Sequence, residues 1–453
     1  MTLPQFWKTY LAVAVLAGLG SYIYFVESKK EEKPEKPKEK VFQLDSAKDK
    51  IREVTLAPGG EEIRLVKEGQ GWRMTAPVNV AADSTEADAL VTSLQGLELD
   101  EVVAESPSSL AEYGLDKPKN TVSVQVQGAG APLKLLVGDK TPDGNSLYAK
   151  VPSRPRVFTI PSYLESSLSK KPFDLRDRSV LHVKRDDVKG LEITGPNGNY
   201  ALARDEKGEW AFTRPLTTRA GRWAVDGLLG TLEGLRMESA AAESASDLKP
   251  YGLDKPARTV SLLLADGGRR TLEIGSSPAE KKVHVREAGN PLVAVVPGAV
   301  VDDLAKGMGE LRAKRLLEVS TYEVEGFDVH LDGGKKIFLR TASKDKDGAD
   351  AYKWRRTSPD VKELDTNKVQ DALFQVGSVE VADFVDKPAS PQTYGLDKPR
   401  LRVELHYGQA KPAAWFEVGE SGGAYYGRRN GDDAVLKLDA KKSEELVKTF
   451  KEL

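Results

Sequence analysis

Gly419-Glu420-Ser421-Gly422-Gly423 has the Gly-x-Ser-x-Gly spacing that places a serine nucleophile on a sharp strand-to-helix turn. That architecture needs a histidine base later in the chain, and the last of the four histidines is His406. The flanking segments WFEVG and AYYGRRN both read as strands, so Ser421 is expected in a turn between strands, not in a nucleophile elbow. His182, His284, His330 and His406 are dispersed on strand-like runs with no His-x-x-x-His pair, and read as ordinary strand residues. Asp345-Lys346-Asp347-Gly348-Ala349-Asp350 suggests a calcium loop, but its glycine comes too early and the closing glutamate is missing; a solvated hairpin tip is expected. There is no cysteine, which excludes thiolate nucleophiles, zinc ribbons, iron–sulfur clusters and disulfides. No phosphate-cradling Walker A run occurs. The residues therefore predict no catalytic group, no metal and no cofactor.

The elements that position these residues come from an internal repeat. The hexapeptide YGLDKP occurs at Tyr113–Pro118, Tyr251–Pro256 and Tyr394–Pro399, with separations of 138 and 143 residues. Upstream of each lies Trp-x-x-Thr-x-Pro: Trp72/Thr75/Pro77, Trp210/Thr213/Pro215 and Trp354/Thr357/Pro359. The Trp-to-Tyr gaps are 41, 41 and 40 residues. Two motifs in one order at one spacing, three times over, define a tandem module.

Around these marks the pattern recurs. Two alternating runs flank Pro-Gly-Gly, Pro-Asn-Gly or Asp-Gly-Gly and read as hairpins. The tryptophan then opens a third strand that the proline ends. A helix follows, with Ala87, Leu90, Val91, Leu94 and Leu97 on its apolar face in the first copy. Leu228, Leu229, Leu232 and Leu235 take that face in the second copy, and Val369, Ala372, Leu373, Val376 and Val379 in the third. Asp83 and Asp365 are expected helix N-caps. Further short strands come after YGLDKP. The fold expected is α+β: three tandem repeats of a mostly antiparallel β module with a packed helix, behind one N-terminal transmembrane helix. The expected divisions are 1–26 anchor, 27–40 charged linker, and modules 41–180, 181–319 and 320–453.

The recurring motif has a structural reading at every position. Ser109, Asp247 and Ser390 precede a single helical turn as caps. Gly114, Gly252 and Gly395 stop it in the left-handed conformation, and Leu115, Leu253 and Leu396 return to the core. Asp116, Asp254 and Asp397 are expected to bond nearby backbone amides, and Pro118, Pro256 and Pro399 launch the next strand. Of these, Gly114, Gly252, Gly395, Asp116, Asp254 and Asp397, together with Trp72, Trp210, Trp354, Tyr113, Tyr251 and Tyr394, are the candidate site residues, read as structural. The rival reading is a Tyr–Asp surface feature shown three times to a repetitive ligand such as a glycan. Single-copy Trp223, and Tyr425-Tyr426 with Arg428-Arg429, are weak pointers to a partner surface.

Thr9–Val26 carries no charge and is flanked by aromatic residues at both ends, as a membrane span would be. A cleaved signal peptide is the competing reading, but no small-x-small cleavage site precedes a polar mature start. ESKKEEKPEKPKEK at 27–40 has nothing apolar to bury and reads as an extended tether. A literal count of the lysines after the span places the bulk in the cytoplasm, so the residues leave orientation open. The 67 basic and 69 acidic residues balance to a formal charge of -2, which argues against a nucleic-acid partner.

Three modules with Trp-x-x-Thr-x-Pro, a helix and YGLDKP behind one anchor resemble the bacterial domain-of-unknown-function family 4340. The resemblance implies an inner-membrane protein with its bulk in the periplasm, accessory to an ABC-type transporter of the gliding-motility type. It supplies no catalytic residues. The role expected is therefore a membrane-anchored extracytoplasmic scaffold or binding subunit and not an enzyme, with membrane transporter subunits as partners. The alternatives are an envelope glycan- or polymer-binding protein and, more distantly, a hydrolase.

Overall fold

The computed structural model describes residues 14–18, 21, 39–42, 44, 50–344, 350–408 and 414–453. Residues 14–18 and 21 are helical. The rest of the expected anchor, the linker through residue 38 and the aspartate run up to residue 349 lie outside the described residues. Among the described residues no helix is long and apolar enough to cross a membrane.

The first module is one sheet, built from β1 (Ile51–Leu56), β2 (Ile63–Glu68), β3 (Gly71–Ala76), β4 (Val80–Ala81), β5 (Val102–Ala104), β6 (Asn120–Val126), β7 (Leu133–Lys140), β8 (Ser146–Lys150) and β9 (Val157–Pro161). The order across it is β4-β3-β2-β1-β6-β7-β8-β9-β5, and each strand pairing is antiparallel. Helix α1 (Ser84–Gln95) carries the chain from edge strand β4 to the opposite edge strand β5. The second and third modules repeat this order strand for strand over residues 188–297 and 326–438. Their helices are α2 (Arg222–Glu233) and α3 (Thr366–Val376).

The elements follow from the residue pattern. β6 alternates buried and half-buried positions along its whole length, the period-two signature of a sheet with one face on the core. Asp83 caps α1 by accepting from the Thr85 and Glu86 amides, and Asp365 caps α3 from Asn367. Helix α2 starts at Gly221 with no side-chain cap. Ala87, Leu90 and Leu94 bury the apolar stripe of α1 in one core with Val54, Leu65, Trp72, Val122 and Phe158. In the third module Phe327 stacks on Phe338 at 4.5 Å, and Phe450 of the closing helix α4 (Ala440–Glu452) meets Phe327 edge-on at 6.1 Å. Trp354 lies within the strand Asp350–Ser358 and does not open it, because this hairpin is longer than those of the other modules.

Two compact units divide the chain, Met1–Asp177 and Arg178–Leu453. In the second unit the segment joining the modules bonds to both through isolated bridges outside the named strands. Gly221 donates to the Leu311 carbonyl and Ala313 to Arg219. Leu316 then donates to Val379, and Val381 to Lys314. Arg312 is buried with its guanidinium 4.6 Å from the Phe384 ring and 2.7 Å from Asp386.

Candidate functional site

The Trp-x-x-Thr-x-Pro signature is core architecture. Trp72, Trp210 and Trp354 are all buried. The Thr75, Thr213 and Thr357 hydroxyls donate to the carbonyls of Arg64, Ala201 and Ile337 at 3.5, 3.3 and 3.4 Å. Each accepting residue is at a register shift between the two strands, so the threonine serves a β-bulge. The following proline is joined by a cis peptide in every module. The indoles differ in their partners. Trp72 Nε1 donates to Asp88 at 2.7 Å, with Lys67 beside the same carboxylate at 3.1 Å. The indole bond, then Lys67, hold Asp88 below the ordinary carboxylate value against some opposing desolvation. The Nε1 atoms of Trp210 and Trp354 are buried and have no hydrogen-bond partner among the described residues.

The YGLDKP signature is a rigid surface turn. A single 3-10 turn ends on Tyr113, Tyr251 or Tyr394, and the next glycine takes φ 65° in all three copies. Only a residue without Cβ adopts this conformation freely. The Leu115, Leu253 and Leu396 amides close the turn onto the carbonyls of Leu110, Leu248 and Pro391, and their side chains are each 2% exposed. Ser109 and Asp247 accept from amides two residues on, whereas Ser390 makes no side-chain cap. Each turn is seated on a glycine in, or directly after, a neighbouring strand. A Cβ on Gly138 or Gly275 would collide with the Tyr113 or Tyr251 carbonyl, and one on Gly419 would lie 2.6 Å from that of Tyr394.

Each motif tyrosine also meets a second ring edge-on at 5.1 Å: Tyr113 with Tyr148, Tyr251 with His284, and Tyr394 with Tyr426. Burial lowers the His284 pKa below the ordinary histidine value. The aspartates depart from expectation. Asp116, Asp254 and Asp397 are exposed, and among the described residues they make neither a hydrogen bond to a backbone amide nor an ion pair. The turn is already closed by main-chain bonds, which leaves these side chains to solvent. Lys117, Lys255 and Lys398 beside them are equally exposed and unengaged among the described residues.

The catalytic look-alikes take structural places. Ser421 ends the strand Ala414–Ser421, and a two-residue turn of Gly422 and Gly423, both at positive φ, leads into Ala424–Arg429. It is a hairpin tip. His284, His330 and His406 are in strands, whereas His182 lies between elements. Among the described residues no group of His, Asp and Glu is arranged to hold a metal. A groove of about 730 Å³ in the third module is lined by residues including Glu325, Arg340, Tyr352 and His406. Arg340 is engaged by the Tyr322 carbonyl at 2.5 Å and lies over the Tyr352 ring, and His406 faces Asp328 at 3.5 Å. Of the single-copy pointers, Trp223 is 81% exposed on α2, but Tyr425 and Arg429 are buried and Arg428 pairs with Glu417.

Sequence reasoning missed the joint between the second and third modules. The Arg429 guanidinium donates to the carbonyls of Ala313, Arg315 and Leu316 and pairs with Asp432 at 2.6 Å. Asp432 also accepts from the Arg219 amide at 2.5 Å, and Asp433 from the Thr217 amide at 2.9 Å. Arg429 occurs once, in a strand rich in charged residues, so only the tertiary fold reveals what it binds.

The family described as Domain of unknown function (DUF4340) matches the chain three times, at residues 72–223, 210–399 and 354–453. No curated protein matches it. Among solved structures, the DNA polymerase III subunit beta from Pseudomonas aeruginosa aligns over 85% of this chain and 92% of its own at 9% identity, with a TM-score of 0.13. A likeness that slight indicates neither fold nor role.

Proposed function

The chain belongs to the DUF4340 family and carries its unit three times, and from that premise we propose that it is a scaffold or binding subunit and not an enzyme. The observation that carries this reading is the buried joint of Arg429, Asp432, Arg219 and Arg312, which fixes the second and third modules as one body. A buried arginine held by three carbonyls and a carboxylate gives a defined geometry, which is what a scaffold needs. The recurring tryptophan, threonine, tyrosine, glycine and leucine are spent on cores and turns. The charge-free run Thr9–Val26 supports a membrane anchor with the modules tethered beyond it. Resemblance supports an envelope location outside the inner membrane, with an ABC-type transport complex of the gliding-motility type as partner.

The test is purification of the full chain from its native membranes in mild detergent, followed by mass spectrometry of what accompanies it. Transporter subunits in stoichiometric amounts are expected. A solitary protein overturns the partner assignment. Orientation is read separately by placing one cysteine at Ser277 in this cysteine-free chain and labelling intact cells with a membrane-impermeant maleimide. Labelling without lysis is expected for modules outside the membrane.

A further inference from the structure

The three Asp-Lys pairs of the YGLDKP turns are repeated without a structural reason. Asp116-Lys117, Asp254-Lys255 and Asp397-Lys398 are exposed and make no bond among the described residues. The exposed positions on either side have diverged freely. Before the tyrosine stand Glu112, Pro250 and Thr393, and after the proline stand Lys119, Ala257 and Arg400. The glycine, leucine and tyrosine of the motif are held in place by the left-handed turn, the core and the ring contacts. Packing demands nothing of the aspartate and lysine.

The backbone that carries each pair is fixed. The glycine φ is 65° in every copy, the same main-chain bond closes the turn, and the turn rests on Gly138, Gly275 or Gly419. Each corner therefore carries one aspartate and one lysine at the same two positions of a repeated backbone turn, three and four residues after a tyrosine that meets a second ring. A further acceptor borders each one: Asp139 and Ser276 lie against the turn glycines of the first two modules, and the Glu420 carbonyl against that of the third.

We infer that these three corners are equivalent binding subsites for a hydroxyl-rich, uncharged polymer, an envelope polysaccharide by chemistry. Repetition of one site fits a ligand whose own chemistry repeats. A folded protein partner would meet three different surfaces and would not need three alike. The Asp-Lys pair of each corner is neutral and the whole chain carries only -2, so no strong field concentrates a polyanion or a polycation. A sugar hydroxyl donates to the carboxylate and accepts from the ammonium, and so uses both members of the pair. The inference rests on reading the chain as a binding protein, and is independent of which membrane complex it joins.

The experiment uses the full chain in detergent and measures retention on three immobilised neutral polysaccharides: a β-1,4-glucan, an α-1,6-glucan and a β-1,4-linked polymer of N-acetylglucosamine. Asp→Ala with Lys→Ala is introduced at one, two and three corners (residues 116/117, 254/255 and 397/398). Retention on at least one polymer is expected, with apparent affinity falling about tenfold per corner lost, as linked subsites require. Thermal unfolding of the triple variant is expected to match the parent. No retention on any of the polymers overturns the inference, as does retention indifferent to the corners. Destabilisation of the variants instead returns the pair to a structural role. Loss of copurifying membrane subunits with polysaccharide retention intact assigns the corners to a protein partner, and also overturns it. Failure of the copurification experiment on the parent chain leaves the polysaccharide-retention and thermal-unfolding outcomes unaffected.

Discussion

The carbonyl oxygen of Tyr394 occupies the space that a side chain on Gly419 would need, 2.6 Å from where its Cβ would stand. The glycine spacing that imitates a hydrolase motif thus exists to let a turn lie flat on a strand. Both contact groups are backbone, so neither can swing aside. Gly419→Ala is expected to destabilise the third module by about 3 kcal/mol, at the upper end of ordinary overpacking. Gly422→Ala, whose Cβ meets nothing within 4 Å but whose φ is 60°, is expected to cost only about 1 kcal/mol of backbone strain. Urea denaturation of the two variants checks the order.

The tryptophans offer a comparison inside one chain. Replacing Trp72 by Phe removes a bond to the Asp88 carboxylate, whereas Trp210 has no indole partner to lose. Both changes leave a similar void. Trp72→Phe is therefore expected to cost about 1–2 kcal/mol more than Trp210→Phe, the worth of a hydrogen bond to a charged acceptor. Denaturant midpoints of the two variants decide it.

Asp88 also makes a pH prediction. Its carboxyl is held below the ordinary value of 3.8, first by the Trp72 bond and then by Lys67. A carboxylate depressed in the folded state stabilises fully above its unfolded pKa and loses that contribution as pH falls through the lower folded value. The first module is expected to lose stability below about pH 4, and Asp88→Asn to flatten that loss. An unchanged acid profile in the variant would assign the acid sensitivity to other carboxylates.

The module and its helices were legible in the sequence because the repeat gave three readings of each position. Leu90, Leu228 and Ala372 occupy the same buried place on three helices, and periodicity at one is checked by the others. The match to DUF4340 bears out the family resemblance. Sheet order was not legible: β5 joins the edge beyond β9 although α1 and β4 precede it, and nothing local encodes which edge a strand takes. The free state of Asp116, Asp254 and Asp397 was also missed, because aspartate after a turn usually bonds an amide, and here main-chain bonds had taken them. Arg429 looked like a surface residue for the reason that charge usually means solvent.

Helix capping separates the two aspartates the sequence identified. Asp83 accepts from two amides and Asp365 from one. Asp83→Ala is expected to cost about 1.5 kcal/mol and Asp365→Ala about 1 kcal/mol. Helix α2 has only Gly221 there, and a Cβ at that position would lie 3.3 Å from the Arg312 carbonyl. Gly221→Asp is therefore expected not to stabilise, although an N-cap aspartate ordinarily does. Thermal melts of the three variants test the set.

Arg429 carries the prediction closest to function. Its side chain is 1% exposed, and its partner Asp432 is 0% exposed. Burial lowers its pKa, against the pull of Asp432. Substituting Arg429→Met keeps the length and removes the charge, stranding Asp432 and freeing the carbonyls of Ala313, Arg315 and Leu316. Breaking one side of such a buried pair costs about 3–5 kcal/mol. The loss falls on the segment that joins the modules more than on either core, so the second and third modules are expected to unfold in separate transitions. Lys314 and Arg315 lie in that segment, which makes trypsin a direct probe. The variant is expected to be cleaved there several-fold faster than the parent while each module stays intact. Cleavage at the parental rate would mean that the Arg219, Thr217 and Arg312 contacts hold the joint without Arg429, and the scaffold reading would then rest on them.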